Sequence, residues 1–125
     1  MTIARLGIVS VPVSDPDRAI AFYVGILGFE LLYDEPMGPD MRWVQLKPSA
    51  DAQTTLTLVT WFPTMAPGST KGLLFETDTL DEDVESIRAQ GVVVSDINEE
   101  AWGRYASLDD PDGNGIVLRG PVPPH

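Results

Sequence analysis

The side chains that could do chemistry in this sequence are carboxylates, indoles and a few arginines. The chain has no cysteine, which excludes disulfides, thiolate nucleophiles and cysteine-based metal sites. Its one histidine, His125, ends a proline-rich tail, so a Ser-His-Asp triad lacks the base that it needs inside the fold. No P-loop, dinucleotide-binding glycine motif or Gly-x-Ser-x-Gly elbow is present. What remains is acid–base chemistry on a carboxylate, or binding.

The composition is typical of one acidic globular domain. The 125 residues are 43% hydrophobic and 22% charged, and the formal net charge is −11. This charge repels nucleic acid and anionic membranes, and it indicates either solubility or a preference for cationic ligands. No apolar run reaches the roughly 18 residues of a membrane-spanning helix, and the opening segment lacks a signal-peptide cleavage site. We expect a cytoplasmic protein without nucleic-acid or membrane partners.

Hydrophobic periodicity and turn residues predict two helices and several strands. The first helix lies between an N-cap at Asp15 and a stop at Gly28. The second helix, residues 80–90, is opened by a capping box of Thr79 and Glu82. The predicted strands are residues 6–13, 29–34, 42–47, 54–62, 72–77, 92–96, 104–108 and 115–119.

The same order of elements occurs twice in the chain. Asp15 lies 13 residues before Gly28, and Asp78 lies 13 residues before Gly91, at an offset of 63. This repeat predicts an internal duplication of a β-α-β-β-β module. Within a single domain, 1–125, the boundaries are 1–62 for the first module, 63–71 for the connection and 72–121 for the second module.

Three segments carry a resemblance to a known family: VSDPDRAIAFYVGILGFELL, LFETDTLDEDVESIRAQGV and DDPDGNGIVL. They resemble the two modules and the closing hairpin of the vicinal oxygen chelate superfamily, which includes glyoxalase I, bleomycin-resistance proteins and extradiol dioxygenases. The resemblance implies an α+β fold in which two tandem βαβββ modules form a cup-shaped, barrel-like mixed sheet with helices outside. It also implies a homodimer with the ligand inside the cup. It does not imply one reaction.

The resemblance also locates the four strand positions from which metal enzymes of this superfamily take their ligands. Here these positions carry Ile8, Thr57, Gly72 and Val117. Zn²⁺ prefers histidine, cysteine or carboxylate, and harder cations need several oxygens, so these residues do not form a metal site. We therefore expect no metal and no other cofactor.

Strand alternation predicts which side chains face the helices and which line the cup. The helix-facing set is Val9, Val11, Val13, Val44, Leu46, Leu56, Leu58, Leu73, Phe75, Ile116 and Leu118. The cup-lining set is Ile8, Ser10, Trp43, Gln45, Thr57, Val59, Trp61, Gly72, Leu74, Glu76, Val117 and Arg119. The cup is thus mostly apolar with a few polar groups, as in many small-molecule sites.

The predicted ligand-binding residues are Trp43, Gln45, Thr57, Trp61, Glu76, Trp102, Arg104 and Tyr105. Trp43 and Trp61 could stack on a planar ligand, or fill the cup or the dimer seam. Glu76, the one candidate catalytic residue, could act as a general base, pair with a ligand cation, or pair with Arg119 or Arg104. Arg104 could hold a ligand carboxylate or support the hairpin.

The sequence favours a metal-independent binding protein that captures an aromatic or cationic small molecule in an apolar cup. Two alternatives remain open. One is a cofactor-free enzyme, a lyase or isomerase that uses Glu76 for proton transfer. The other is a metal-dependent enzyme of the glyoxalase or dioxygenase type.

Overall fold

The computed structural model describes residues 1–121. His125 lies outside this range. The described chain forms eight strands and two helices, and the first helix continues into a π-helical turn. In chain order these are β1 (Ile8–Pro12), α1 (Pro16–Ile20) with the π-helical turn Ala21–Ile26, β2 (Glu30–Pro36), β3 (Arg42–Lys47), β4 (Thr55–Val59), β5 (Leu73–Glu76), α2 (Leu80–Ala89), β6 (Asn98–Glu100), β7 (Gly103–Asp109) and β8 (Gly115–Gly120).

The strands form two four-stranded mixed sheets with the same topology. The first has the order β1-β4-β3-β2 and the second the order β5-β8-β7-β6. In each sheet the opening strand pairs in parallel with the last strand of its module, and the other pairs are antiparallel. The predicted α+β class with two like modules is confirmed. The two sheets do not close into a barrel within the chain.

One hydrophobic core lies between the sheets and the helices, and residues of both modules contribute to it. Every side chain predicted to face the helices belongs to this core or packs against it. The rings of Phe29 and Phe75, one from each module, meet at 5.1 Å between centroids. Burial of apolar surface therefore joins the two modules through their helix-covered sides.

The first helix begins where the sequence predicts and then changes type. The Asp15 carboxylate accepts hydrogen bonds from the backbone N–H groups of Asp17 and Arg18, at 3.0 and 3.4 Å. From Ala21 the helix widens into the π-helical turn, which leaves the consecutive aromatic residues Phe22 and Tyr23 both buried. A period of 3.6 residues does not predict this change, because it assumes one helix type throughout.

The predicted capping box of the second helix is wrong. Thr79 is the N-cap residue, but its side chain makes no hydrogen bond to the backbone of the first turn. Its hydroxyl donates instead to Asp83 in the next turn, at 3.0 Å, and Thr77 donates to the other oxygen of that carboxylate at 2.5 Å. Thr77 also accepts a hydrogen bond from the Thr79 N–H at 3.1 Å, so Thr77 and Asp83 replace the predicted partner Glu82.

The predicted strand at residues 92–96 is also wrong. The segment has no strand, and β6 lies instead between the predicted strands 92–96 and 104–108. Val92 and Val94 pack on or into the core while Val93 is 88% exposed, so the alternation that suggests a strand comes from this packing. Ser95 donates its backbone N–H to the Ser107 carbonyl of β7, and one such bond does not make a ladder.

Candidate functional site

Each sheet has one side covered by helices and one side free of them, which we call the open face. On the open face of the first sheet, the indoles of Trp43 and Trp61 stack at 6.4 Å between centroids with 28° between their planes. Trp43 donates its indole N–H to Gln45 at 3.1 Å, and Gln45 donates to Thr55 at 2.9 Å. This chain of hydrogen bonds holds the half-buried Trp43 and Gln45 in fixed orientations.

Thr57 and Ser10 lie side by side on the same open face, because β1 pairs with β4 in that register. Their hydroxyl oxygens are 3.2 Å apart, and either group can be the donor. Thr57 is 1% exposed while Ser10 is only partly buried. The face therefore has a small polar centre between the apolar neighbours Ile8 and Val59.

The open face of the second sheet carries an aromatic pair and an ion pair. Trp102 and Tyr105 stack at 5.0 Å with 17° between their planes. Tyr105 lies opposite Arg119 in the β7–β8 ladder, and Arg119 pairs with Glu76 across β8 and β5. A cavity of about 270 Å³ brings Glu76, Trp102 and Arg119 together at this face.

Arg104 is the one predicted ligand-binding residue that faces the helix side. Its guanidinium donates to both carboxylate oxygens of Asp81 on α2, at 2.8 and 2.9 Å. This pair lowers the pKa of Asp81 and raises the pKa of Arg104. A role in holding a ligand carboxylate stays a prediction, and it would require the guanidinium to leave Asp81. Glu76, in turn, takes one of the partners that the sequence allowed, Arg119.

A further cavity of the described chain lies away from the open faces. It has a volume of about 340 Å³ and opens between the modules on their helix-covered sides. Of the predicted site residues only Glu76 lines it, beside core residues such as Phe29 and Phe75. The cavity thus marks the seam between the modules rather than the aromatic faces.

The four positions at which the superfamily's metal enzymes hold their ion do not fit a metal here. Ile8 and Thr57 lie on the first sheet. Val117 lies on the second sheet, and Gly72 directly precedes β5 of that sheet. Ile8, Val117 and Gly72 offer no ligand atom in their side chains, and the Thr57 hydroxyl is bonded to Ser10. Within residues 1–121, no three His, Cys, Asp or Glu side chains cluster as a metal site would require.

The two open faces do not meet within one chain, because both sheets turn their other sides into the common core. Large apolar side chains are therefore exposed on them: Ile8 is 44%, Tyr33 57%, Leu74 42% and Trp102 54% exposed. Two residues that take part in these faces, Ser10 and Arg119, belong to the cup-lining set but not to the predicted ligand-binding residues. The signal that could have found them is their strand register opposite Thr57 and Glu76.

Comparison with known proteins identifies the class to which this fold and these faces belong. The sequence profile of the Glyoxalase/Bleomycin resistance protein/Dioxygenase superfamily matches residues 5–118, so the chain belongs to that superfamily. The resemblance read from the sequence is confirmed. None of the helices in residues 1–121 is long and apolar enough to cross a membrane.

Particular relatives cover almost the entire chain. TnmS3, an antibiotic binding protein from Streptomyces sp. CB03234, is 48% identical and its crystal structure superposes with a TM-score of 0.92, covering 98% of this chain and 99% of its own. A glyoxalase/bleomycin resistance protein from the same organism is also 48% identical, with a TM-score of 0.84 and coverages of 92% and 99%. The uncharacterized protein YetH of Bacillus subtilis is 31% identical over 121 residues, 94% of this chain and 98% of YetH.

Proposed function

We propose that this protein binds a small planar aromatic molecule on its open faces, without a metal ion. The observation that carries the proposal is the pair of stacked aromatic side chains on each face, Trp43 with Trp61 and Trp102 with Tyr105. Aromatic stacking contributes about 0.5–1.5 kcal/mol per pair beyond the area that it buries. Small-molecule binding is consistent with membership of the superfamily, and with TnmS3 being an antibiotic binding protein.

The binding cup is proposed to form between two copies of the chain. β1 and β5 each pair with one strand in the described chain, so each leaves a free sheet edge. The open faces beside these edges expose large apolar side chains such as Leu74 and Trp102, and contiguous exposed apolar patches mark interaction sites. A twofold dimer would set the first sheet of one copy against the second sheet of its partner and close two equivalent cups. Each cup would then contain two aromatic pairs, one from each copy.

The charges on the second open face support a ligand that is neutral or cationic. Glu76 supplies a carboxylate at the 270 Å³ cavity, and a ligand cation could compete with Arg119 for it. The chain as a whole carries a net charge of −11, which adds a long-range attraction for cations. Cation–π contact with exposed indoles contributes about 0.5–1 kcal/mol more.

Equilibrium titration with two probes tests the binding. The probes are 9-aminoacridine, planar and cationic, and 9-fluorenone, planar and neutral. The chain has three tryptophans, so Trp102→Phe reports from the first sheet alone and the double variant Trp43→Phe/Trp61→Phe from the second alone. We expect both variants to show saturable quenching at the same probe concentration, and dialysis against EDTA to leave the affinity unchanged. If neither probe gives saturable quenching, the proposal is overturned.

Mixing two damaged proteins tests whether the cup is shared. Trp43→Ala removes an aromatic group from the first face, and Trp102→Ala removes one from the second. If each cup combines faces from two copies, exchange of subunits between the two variants recreates intact cups, about a quarter of the total by random mixing. Recovery of high-affinity sites after mixing is the expected result, with sedimentation giving twice the 13.6 kDa chain mass. A monomer, or no recovery on mixing, contradicts the shared cup.

The enzymatic alternatives receive no such support. Glu76 is paired with Arg119, and Glu76→Gln is expected to preserve fluorenone binding while weakening that of 9-aminoacridine. Loss of a measured turnover in that variant would instead favour the proton-transfer enzyme.

A further inference from the structure

The hydroxyl pair at the centre of the first open face has more donors than the protein uses. Ser10 and Thr57 have two hydroxyl protons and share one hydrogen bond of 3.2 Å. Within residues 1–121, neither side chain makes another hydrogen bond to protein. One proton is therefore left over, and burial decides which one.

Thr57 is 1% exposed, so its proton has no access to water and must be satisfied by protein. The available acceptor is the Ser10 oxygen, which assigns Thr57 as the donor and Ser10 as the acceptor. A buried acceptor that lacks one bond costs less than a buried donor that lacks its only bond. The Ser10 proton is then free, and Ser10 is the partly exposed member of the pair.

We infer that Ser10 donates this hydrogen bond to a carbonyl or comparable acceptor oxygen on the aromatic ligand. The inference rests on the proposed function and narrows its ligand class to planar aromatic molecules that carry an acceptor oxygen. Thr57 does not touch the ligand; its bond to Ser10 orients and polarises the Ser10 hydroxyl. The other donors nearby are engaged, since Trp43 donates to Gln45 and Gln45 donates to Thr55.

The surroundings make this single donor selective. Ile8 and Val59 flank the pair on the same face and offer no polar atom in their side chains. A ligand that covers the face removes water from the Ser10 hydroxyl, so a ligand without an acceptor leaves that donor unsatisfied. Recognition of this kind rejects an analogue that lacks the acceptor more strongly than it favours the correct one.

Fluorenone and fluorene provide the test, because they share one planar shape and differ by a carbonyl in place of a methylene. The quantity measured is the ratio of their affinities in the wild type and in three variants. Ser10→Ala is expected to lower the preference for fluorenone about tenfold, the worth of one net hydrogen bond, and to strengthen fluorene binding because no donor is then left unsatisfied beneath it. Thr57→Val, which is isosteric, is expected to lower it about twofold. Ser86→Ala, on the exposed side of α2, is the control and should change neither affinity.

Infrared spectroscopy supplies a readout that a merely structural effect would not move. In the difference spectrum of ¹³C-labelled fluorenone, the carbonyl band should lie at lower wavenumber in the wild type than in Ser10→Ala. An unchanged ratio and band in Ser10→Ala, with both compounds still bound, would overturn this inference and leave the proposed function standing. If fluorenone, fluorene and 9-aminoacridine all fail to bind the wild type, the proposed function is overturned and the inference with it.

Discussion

The contact between the two modules and the two open faces treat polar groups in opposite ways. At the module contact, Tyr23 is 0%, Asp110 5% and Asn114 0% exposed. The Asp110 carboxylate accepts from the Tyr23 hydroxyl at 2.9 Å and from the Asn114 amide at 2.7 Å, and that amide also donates to the Pro12 carbonyl at 2.8 Å. The closing turn of the second module is thus fixed to the first strand and first helix of the other module.

On the open faces, by contrast, the hydrogen-bonding groups other than the buried Thr57 are partly exposed, and some have capacity left over. Ser10 keeps a free proton, and Glu76 and Arg119 pair in contact with water. At the module contact the buried polar groups all have hydrogen-bond partners, so substitutions there should lower the stability strongly. Incomplete satisfaction at the faces costs the free protein little, because water substitutes until a ligand arrives. The difference separates residues for stability from residues for binding.

Removing the Asp110 carboxylate should have the largest effect on the module contact. Asp110→Ala leaves the Tyr23 hydroxyl, the Asn114 side chain and the backbone N–H groups of Asp112 and Asn114 without their acceptor. We expect a loss of about 3–5 kcal/mol in the free energy of unfolding, because buried donors left without an acceptor each cost about 1–3 kcal/mol. Urea denaturation measures it. The exposed neighbour is the control: Asp109→Ala should change stability by about 0.5 kcal/mol or less. Equal losses in the two variants would contradict the contrast.

Gly68 should show the next largest effect, because the connection between the modules passes directly over the closing turn. Its φ is +82°, and a Cβ atom there would lie 2.1 Å from the carbonyl oxygen of Asp112. Gly68→Ala is expected to cost about 2–3 kcal/mol through backbone strain and displacement of the turn. Gly25→Ala, with no atom within 4 Å of its Cβ, should instead be neutral or stabilise by about 0.5–1 kcal/mol. Thermal unfolding of both variants distinguishes the two cases.

Much of this architecture could be predicted, because it depends on local periodicity. Alternation assigned the helix-facing side chains of both sheets correctly, and the repeated spacing of helix starts and stops predicted the duplicated modules. Arg104 and Tyr105 are adjacent in sequence, but the strand's period of two puts them on opposite sides of the sheet, Arg104 on the helix side and Tyr105 on the open face. Adjacency in sequence therefore does not show that two strand residues contact the same ligand.

Other features depend on contacts that a single sequence does not encode locally. The hydrogen bond between Tyr23 and Asp110 joins residues 87 positions apart, and the one between Asn114 and Pro12 joins residues 102 positions apart. No sequence motif predicts either bond. The direction of the open faces likewise depends on which sides of the two sheets share the core. The sequence predicted a cup, but whether one chain or two chains close it is a question of that tertiary arrangement.

Tyr23 allows the module contact to be examined through pH. Burial, and then the nearby Asp110 carboxylate, raise the pKa of Tyr23 well above its usual value. The folded state therefore favours the protonated phenol, and this stabilisation is complete below the ordinary tyrosine pKa of about 10 and is lost as pH rises above it. Tyr23→Phe should cost about 1.5 kcal/mol at pH 7, for a lost hydrogen bond to a charged group. The difference from wild type should shrink above pH 10, whereas parallel stability curves would contradict the assignment.

The smallest expected effect on stability belongs to the open faces and completes the comparison. Trp102 is 54% exposed, and Trp102→Ala removes its stack on Tyr105, so we expect a loss of about 0.5–1 kcal/mol in the free energy of unfolding. The same substitution should weaken 9-aminoacridine binding about tenfold, because the aromatic surface that the probe covers is removed. Trp102→Phe keeps an aromatic ring and should retain most of the stability and most of the affinity for 9-aminoacridine. Val93→Ala, at an exposed apolar residue outside the open faces, should change neither the stability nor the affinity. The opposite result would be a Trp102→Ala variant that loses as much stability as Tyr23→Phe but keeps its affinity for 9-aminoacridine. The aromatic pair would then be a structural contact, and the open face would not differ in role from the module contact.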